Sequence, residues 1–264
     1  DYTLSYQDVR NQIFDVPTAG TTGYQSLRTN AGRMVTWSHE LSVNASVIDH
    51  ANYGLDLGVN FTKITNKVKK LADGVESIML GGFVEPQVRA QAGNIYGKAF
   101  KRTEDGQLLL SANGLPQGTA ASVNLGECTP DFNMGFNLRA HYKQLSLSAT
   151  MDWQKGGCMY NGTLLTMNYF GASKASLPYH EGTMVAEGIN EATGQKNTVQ
   201  VSKQQYYMAY NDVTEAGIFD TSFLKLRDVT LSYQFPKFAG INLSVYGFAR
   251  NILLWAKLPG LDPE

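Results

Sequence analysis

The chain is short of charge. Charged residues fill 17% of its 264 positions, where ordinary soluble domains carry about a quarter. The 22 basic and 23 acidic side chains leave a net charge of −1. A nucleic-acid surface needs a basic face, so that class of partner is excluded. No stretch approaches the run of about 18 apolar residues that a membrane-crossing helix requires. Proline is scarce, at 8 residues, and there are only 2 cysteines. Two cysteines cannot make a disulfide scaffold, although they can make one bridge. No secretory leader is visible. The chain opens Asp1-Tyr2-Thr3 rather than with Met, so the expectation is a processed chain or a part of something larger. What is present in quantity is glycine (26), tyrosine (14) and phenylalanine (12), within a hydrophobic content of 43%. That content is too high for disorder. The profile is that of a turn-rich β protein with a neutral surface.

The strongest signal is alternation with a period of two. In Leu41-Ser42-Val43-Asn44-Ala45-Ser46-Val47 the odd positions are apolar and the even ones polar. Residues 53–61, 132–142, 145–153, 229–235 and 241–245 follow the same rule, and 2–14 follows it more weakly. Neighbouring side chains on a strand point to opposite faces, so each strand has one apolar and one polar face. A soluble sandwich satisfies this pattern, and so does a membrane barrel with lipid outside and water inside. Three features favour the barrel. The strands are longer than the globular mode of about five or six residues and match the roughly 9–11 that cross a membrane. Aromatics mark strand ends (Tyr53, Phe61, Phe132, Tyr142, Trp153, Phe235, Trp255), as interfacial girdles require. The polar face is Ser, Thr, Asn and Gly rather than the Lys and Glu of a soluble surface.

The connections alternate in length. Residues 49–52, 143–144 and 236–240 are short turns, whereas about 64–130 and about 158–221 are long segments, which a compact soluble domain rarely accommodates as loops. Outer-membrane barrels pair short periplasmic turns with long extracellular loops. The expected strands are about 2–14, 31–48, 53–63, 132–142, 145–157, 222–235 and 241–255, with the long segments outside the cell. That is an odd number, and an open sheet in lipid would leave unpaired edges. The expectation is therefore an all-β, antiparallel transmembrane barrel of which residues 1–264 form a part. A soluble β-sandwich that binds carbohydrate is the alternative.

Several blocks resemble one family. Ser222-Phe223-Leu224-Lys225-Leu226-Arg227-Asp228-Val229-Thr230-Leu231-Ser232-Tyr233-Gln234-Phe235-Pro236 resembles the "SF-KLR-V-LSY-FP" block of SusC/RagA-type TonB-linked outer-membrane proteins. Val245-Tyr246-Gly247-Phe248-Ala249-Arg250-Asn251-Ile252-Leu253 is similar to that family's penultimate strand, and Leu258-Pro259-Gly260-Leu261-Asp262-Pro263-Glu264 to its "G-DPE" loop. Thr22-Gly23-Tyr24, Asn30-Ala31-Gly32-Arg33-Met34, Glu40-Leu41, residues 95–100 and Thr129-Pro130-Asp131-Phe132 add further points in the same order. Trp37-Ser38-His39 departs from the family's Asn-Lys-Gly. The resemblance implies the C-terminal portion of a 22-stranded plugged barrel, without plug, TonB box, early strands or last strand. It implies import of glycan or peptide fragments across the outer membrane, a SusD-like surface lipoprotein as lid, and energy from the TonB complex. A siderophore receptor on the same barrel is a further alternative.

Candidate sites follow. Cys128 and Cys158 flank the 132–157 hairpin near the outer rim, where the compartment permits a bridge. In a regular ladder they would face opposite ways, unless Pro130 and Gly156-Gly157 break it. The loop aromatics Tyr160, Tyr169, Phe170, Tyr206, Tyr207 and Tyr210 are candidates for stacking on substrate, or else they pack the loops together or contact the lid lipoprotein. Arg139, Asp152, Arg227 and Asp228 would face the lumen, where they either tune passage or are solvated wall residues, the latter being the simpler account. His39, His50, His141 and His180 show no metal-ligand spacing, and Asp105-Gly106 suggests a tight turn. No nucleophile elbow or phosphate loop is present. The expectation is a transporter without catalytic residues, metal or cofactor.

Overall fold

The computed structural model describes residues 1–18, 20–30, 32–71, 93–237 and 239–263. Ala31 of the 30–34 block, Phe238 of the 236–240 turn, Glu264 of the closing motif and residues 72–92 of the first long segment lie outside the described residues.

Seven strands make one sheet: β1 Tyr2–Arg10, β2 Arg33–His50, β3 Tyr53–Lys70, β4 Phe132–Tyr142, β5 Leu145–Lys155, β6 Phe223–Gln234 and β7 Ser244–Ala256. They pair in sequence order, and every pairing is antiparallel. The alternating segments are thus all strands, with corrected ends. β1 stops at Arg10, because Asn11 takes a positive φ of 57°, a conformation asparagine tolerates better than most residues. Ile13–Pro17 pairs instead with Ser26–Asn30. β3 runs to Lys70, seven residues past its expected end, since its outer part (Thr62-Lys63-Ile64-Thr65) carries no apolar outward row to reveal it.

The sheet is a single layer, and its buried side chains, such as Val35, Ser38, Val68, Phe223 and Lys225, lie toward the end that carries the long segments. Val43, Val47, Leu57 and Leu231 are exposed on the wall strands. A soluble sandwich would bury such side chains between two sheets, so the sandwich alternative is overturned. The fold is an antiparallel barrel wall that does not close on itself.

The register shows why aromatics sit where they do. Tyr53, Tyr142, Leu145, Tyr233 and Val245 stand side by side across β3 to β7, and His50 stacks on Tyr53 at 4.5 Å. Eight residues along β3, a second row joins Leu41, Phe61, Met134, Trp153, Leu224 and Trp255. Phe132 packs on this row, 5.6 Å from Phe61 and edge-on to Trp153 at 5.0 Å. Between the rows the same face is apolar: Ala45, Leu57, Leu138, Ala149, Val229 and Ala249 make its middle line. Residues 53–61 therefore span one apolar band, of the length that crosses a bilayer.

The two-residue turns Ala51-Asn52 and Lys143-Gln144 lie together beyond the first row. Lys143 N–H donates to Asn52 O at 2.5 Å, and Gln234 N–H to Gln144 O at 2.9 Å. At the opposite end the two long segments fold into one compact cap. Helix α1 (Gly162–Tyr169) is capped by Asn161, whose side chain accepts from Leu164 N–H. Helix α2 (Lys203–Asn211) is capped by Ser202 in the same manner. Ile95, Phe100, Leu110, Leu165, Val201 and Val213 are buried here. The cap joins the segments directly: Ile189–Asn190 runs parallel to Leu109–Leu110, and buried Asn190 donates to Ala112 O at 3.2 Å.

Candidate functional site

The polar face of the sheet is the first functional surface. Across β2 to β6 it presents Ser46, Asp56, Arg139, Ser148 and Thr230 in one line, and Asn44, Gly58, Asn137, Thr150 and Asp228 in the next. All of these except Thr230 line a trough of about 630 Å³. Ser46 donates to Asp56 at 2.6 Å. Glycine keeps the wall thin at two places. A Cβ on Gly58 would come within 2.6 Å of Asn44 Oδ1, and one on Gly54 within 2.3 Å of the His141 ring that lies over it.

β6 carries an irregularity that supplies charge to this face. Leu226 pairs with Met151 on the apolar side, whereas Asp228 pairs with Thr150 on the polar side, with Arg227 extra between them. The extra residue places two consecutive charges inward, as bulges do when they re-aim side chains. Arg227 Nε donates to Asp152 at 2.5 Å. The four expected lumen residues, Arg139, Asp152, Arg227 and Asp228, thus share one face. The doubled charge Arg227-Asp228, set between alternating apolar residues, is the trace of the bulge in the sequence.

The cap is the second surface, and it does not bring the five loop tyrosines into one site. Tyr169 and Tyr207 line a cleft of about 250 Å³ together with Phe170, Tyr179, His180 and Gln204. Tyr179 stacks on Tyr207 at 4.2 Å, and Phe170 stands 75% exposed at the mouth. Tyr160, Tyr206 and Tyr210 pack within the cap instead. Tyr210 lies against Phe100 at 4.6 Å, burial pushes the Tyr160 and Tyr206 hydroxyls up, and Tyr160 fills the space beside Gly162 and Gly217. Tyr179, Gln204 and His180 were not legible as cleft residues, because a short 3-10 turn (Lys174–Tyr179) and a facing helix, distant in sequence, bring them together.

Ser176 and His180 approach at 3.2 Å, but they hold the loop rather than form a nucleophile. The His180 Nε2 also meets Gly171 O at 3.0 Å, and the buried Ser176 hydroxyl donates to Ser173 O at 2.6 Å. Among the described residues no group of three His, Cys, Asp or Glu side chains could hold a metal. Asp105-Gly106 does make a turn, closed by Gly106 N–H to Thr103 O at 2.9 Å.

Cys128 and Cys158 are both free thiols in this structure, the first exposed and the second half-buried. The regular ladder ends before them, since Gly156 and Gly157 take φ of 75° and 80°. The two strands' ends stay close: a Cβ on Gly157 would lie 3.0 Å from Cys128 O, and one on Gly126 would lie 2.9 Å from Cys158 Sγ. Burial, then the neighbouring Cys158 and Glu127, raise the Cys128 pKa.

Three clamps fix the cap. Glu215 accepts from Phe100 N–H at 2.6 Å and from Arg102 at 2.9 Å. Glu191 accepts from Lys101 at 3.1 Å and Gln117 at 2.8 Å, and these bonds lower its pKa. Asp220 joins the start of β6 to the end of β7, accepting from Ser222 and from Lys257 at 2.7 Å. Burial would raise the Asp220 pKa, but the Lys257 and Ser222 bonds outweigh it and bring it to about 2.

A wall with an apolar outer band, aromatic rows at both edges, a polar inner face and a folded cap defines part of a transmembrane β-barrel. No protein-family model matches the chain. Among curated proteins, it is 25% identical to TonB-dependent receptor P3 of Formosa agariphila over 295 residues, covering 100% of this chain and 28% of that protein. It is 23% identical to TonB-dependent receptor SusC of Bacteroides thetaiotaomicron, covering 100% of this chain and 27% of that one. Among solved structures, the RagAB peptide importer in its closed-closed state shares the fold with a TM-score of 0.72 at 21% identity, over 99% of this chain and 30% of that one. The RagAB peptide transporter gives 0.68 at 22% identity. These similarities bear out the SusC/RagA resemblance and, with it, the outer membrane as the chain's location. The chain spans little more than a quarter of the curated relatives it matches.

Proposed function

We propose that this chain supplies part of the wall and the extracellular cap of a TonB-dependent importer of nutrient oligomers, glycan or peptide fragments. The observation that carries the reading is the two-faced wall: nine residues of apolar surface between aromatic rows outside, and hydroxyl, amide and paired charged groups inside. Such an inner face offers hydrogen-bond partners to a hydrated oligomer without holding it tightly. In this reading residues 1–264 are the C-terminal portion of the barrel and the cap faces outward. The aromatic cleft of Tyr169, Phe170, Tyr179 and Tyr207 is the first contact for substrate, because ring faces stack on sugar or peptide planes. A SusD-like lipoprotein closes over the cap, and TonB drives release through parts of the protein outside this chain.

The test is uptake of labelled oligosaccharides and oligopeptides by cells with and without the gene, and with and without an active TonB complex. Import that depends on both is the expected result. Uptake of neither class, with defective growth only under iron limitation, would favour the siderophore receptor and sink the oligomer reading.

A further inference from the structure

The outward face of β1, β2 and β3 does not end at the outer aromatic row. Above Leu41 and Phe61 the register continues through Leu4, His39 and Lys63, then Tyr6, Trp37 and Thr65, then Asp8, Val35 and Lys67. All of these share the face that meets lipid below. The aromatic members are open: Tyr2, Tyr6 and Trp37 are exposed, Tyr6 leans on Trp37 at 4.6 Å, and Tyr2 bonds His39 at 2.8 Å. Lys63 and Lys67 are exposed, and neither forms an ion pair among the described residues. Among the described residues this face carries one carboxylate, Asp8, which is already held by Arg10 at 2.9 Å and Arg33 at 2.8 Å.

From this we infer that the β1–β2–β3 extension binds the phosphorylated sugar headgroup of a glycolipid in the outer leaflet. The inference rests on the membrane-barrel reading above, with the cap outside. The depth of the groups selects the ligand. At about 3.4 Å per residue and a tilt of about 40°, Lys63 stands roughly 5 Å above the Phe61 row and Lys67 roughly 15 Å above it. The first height is that of a phospholipid phosphate, since headgroups add only about 5–7 Å per side. The second is beyond it. A headgroup built of phosphorylated sugars reaches both lysines, and places a sugar ring against the Trp37–Tyr6 pair between them. The charge and the stacking surface are therefore spaced for anion, ring, anion.

The test uses the whole protein that carries this sequence, extracted from its membrane and placed in phosphatidylcholine nanodiscs. Retained lipid is measured by native mass spectrometry with added diphosphoryl lipid A, dephosphorylated lipid A or phosphatidylglycerol, and with inorganic phosphate as competitor. We expect diphosphoryl lipid A to be retained best. Lys63→Gln with Lys67→Gln should weaken it about thirty-fold, since a lysine near the surface contributes about five-fold. Lys63→Arg with Lys67→Arg should restore it. Both variants are at exposed positions, and heat-modifiable gel mobility confirms folding. Equal retention by the glutamine variant, equal retention of phosphatidylglycerol, or displacement by inorganic phosphate would each overturn the inference. Failure of the membrane-barrel reading looks different: the unmodified protein would be released without detergent and show no heat-modifiable mobility.

Discussion

Ala149 and Thr150 are consecutive residues of β5 on opposite faces, and the same substitution at each should have very different effects. Ala149 lies in the middle line of the apolar band, four residues from Leu145 in one aromatic row and four from Trp153 in the other. Thr150 lines the polar trough and pairs across the strand with Asp228. Arginine at Ala149 removes almost no packing, so its effect is the transfer of a charge to the centre of the bilayer. That costs about 2–4 kcal/mol in barrels, a shift of about thirty- to a thousand-fold in the folding equilibrium. Arginine at Thr150 enters water beside a carboxylate and should change stability by no more than about 0.5 kcal/mol. The assay is urea unfolding of the whole barrel in lipid vesicles, read by tryptophan fluorescence and gel mobility. Equal losses at both positions, or a greater loss at Thr150, would refute the assignment of faces and the membrane reading with it.

Other expectations concern the cap and rim. Glu215→Ala leaves Phe100 N–H without its acceptor, and should loosen the cap by about 1–3 kcal/mol, visible as faster protease nicking within residues 93–130 while the barrel band persists. The Asp220 clasp has a folded pKa of about 2, below the usual carboxylate value near 3.9. A depressed pKa means its stabilisation is complete above about pH 4 and is lost as the pH falls towards 2. Because Lys257 is largely exposed, that stabilisation stays below about 1 kcal/mol. Acid titration of cap stability should lose a step in Asp220→Asn. Oxidation by a disulfide reagent should link Cys128 to Cys158 with the release of two reduced thiols from the reagent. Peptide mapping should then recover one linked pair, and two alkylatable thiols after oxidation would end that expectation.

Much of the wall was readable from the residues because a strand's faces are set by parity alone. Tyr53-Gly54-Leu55-Asp56-Leu57 declares which side meets lipid before any partner is known. The short turns and aromatic strand ends were equally local. What could not be read depended on partners distant in sequence. The outer part of β3 loses its pattern beyond the apolar band, since Lys63 and Lys67 stand on the face that Leu55 and Leu57 turn to hydrocarbon. Tyr206 and Tyr210 looked like candidates beside Tyr207, yet they sit on one short helix whose turn sends them into the cap and only Tyr207 to the cleft.

The sequence by itself determined the strand order, the two faces and the height of the apolar band, because period-two patterning and turn length act within a few residues. Only the tertiary structure decided that residues 93–130 and 156–222 form one cap. Their union rests on the parallel pairing of Leu109–Leu110 with Ile189–Asn190 and on the reach of Glu215 to Phe100. Contacts between residues so far apart leave no periodic trace in the chain. They exist because two segments emerging from one barrel rim can bury their apolar side chains only against each other.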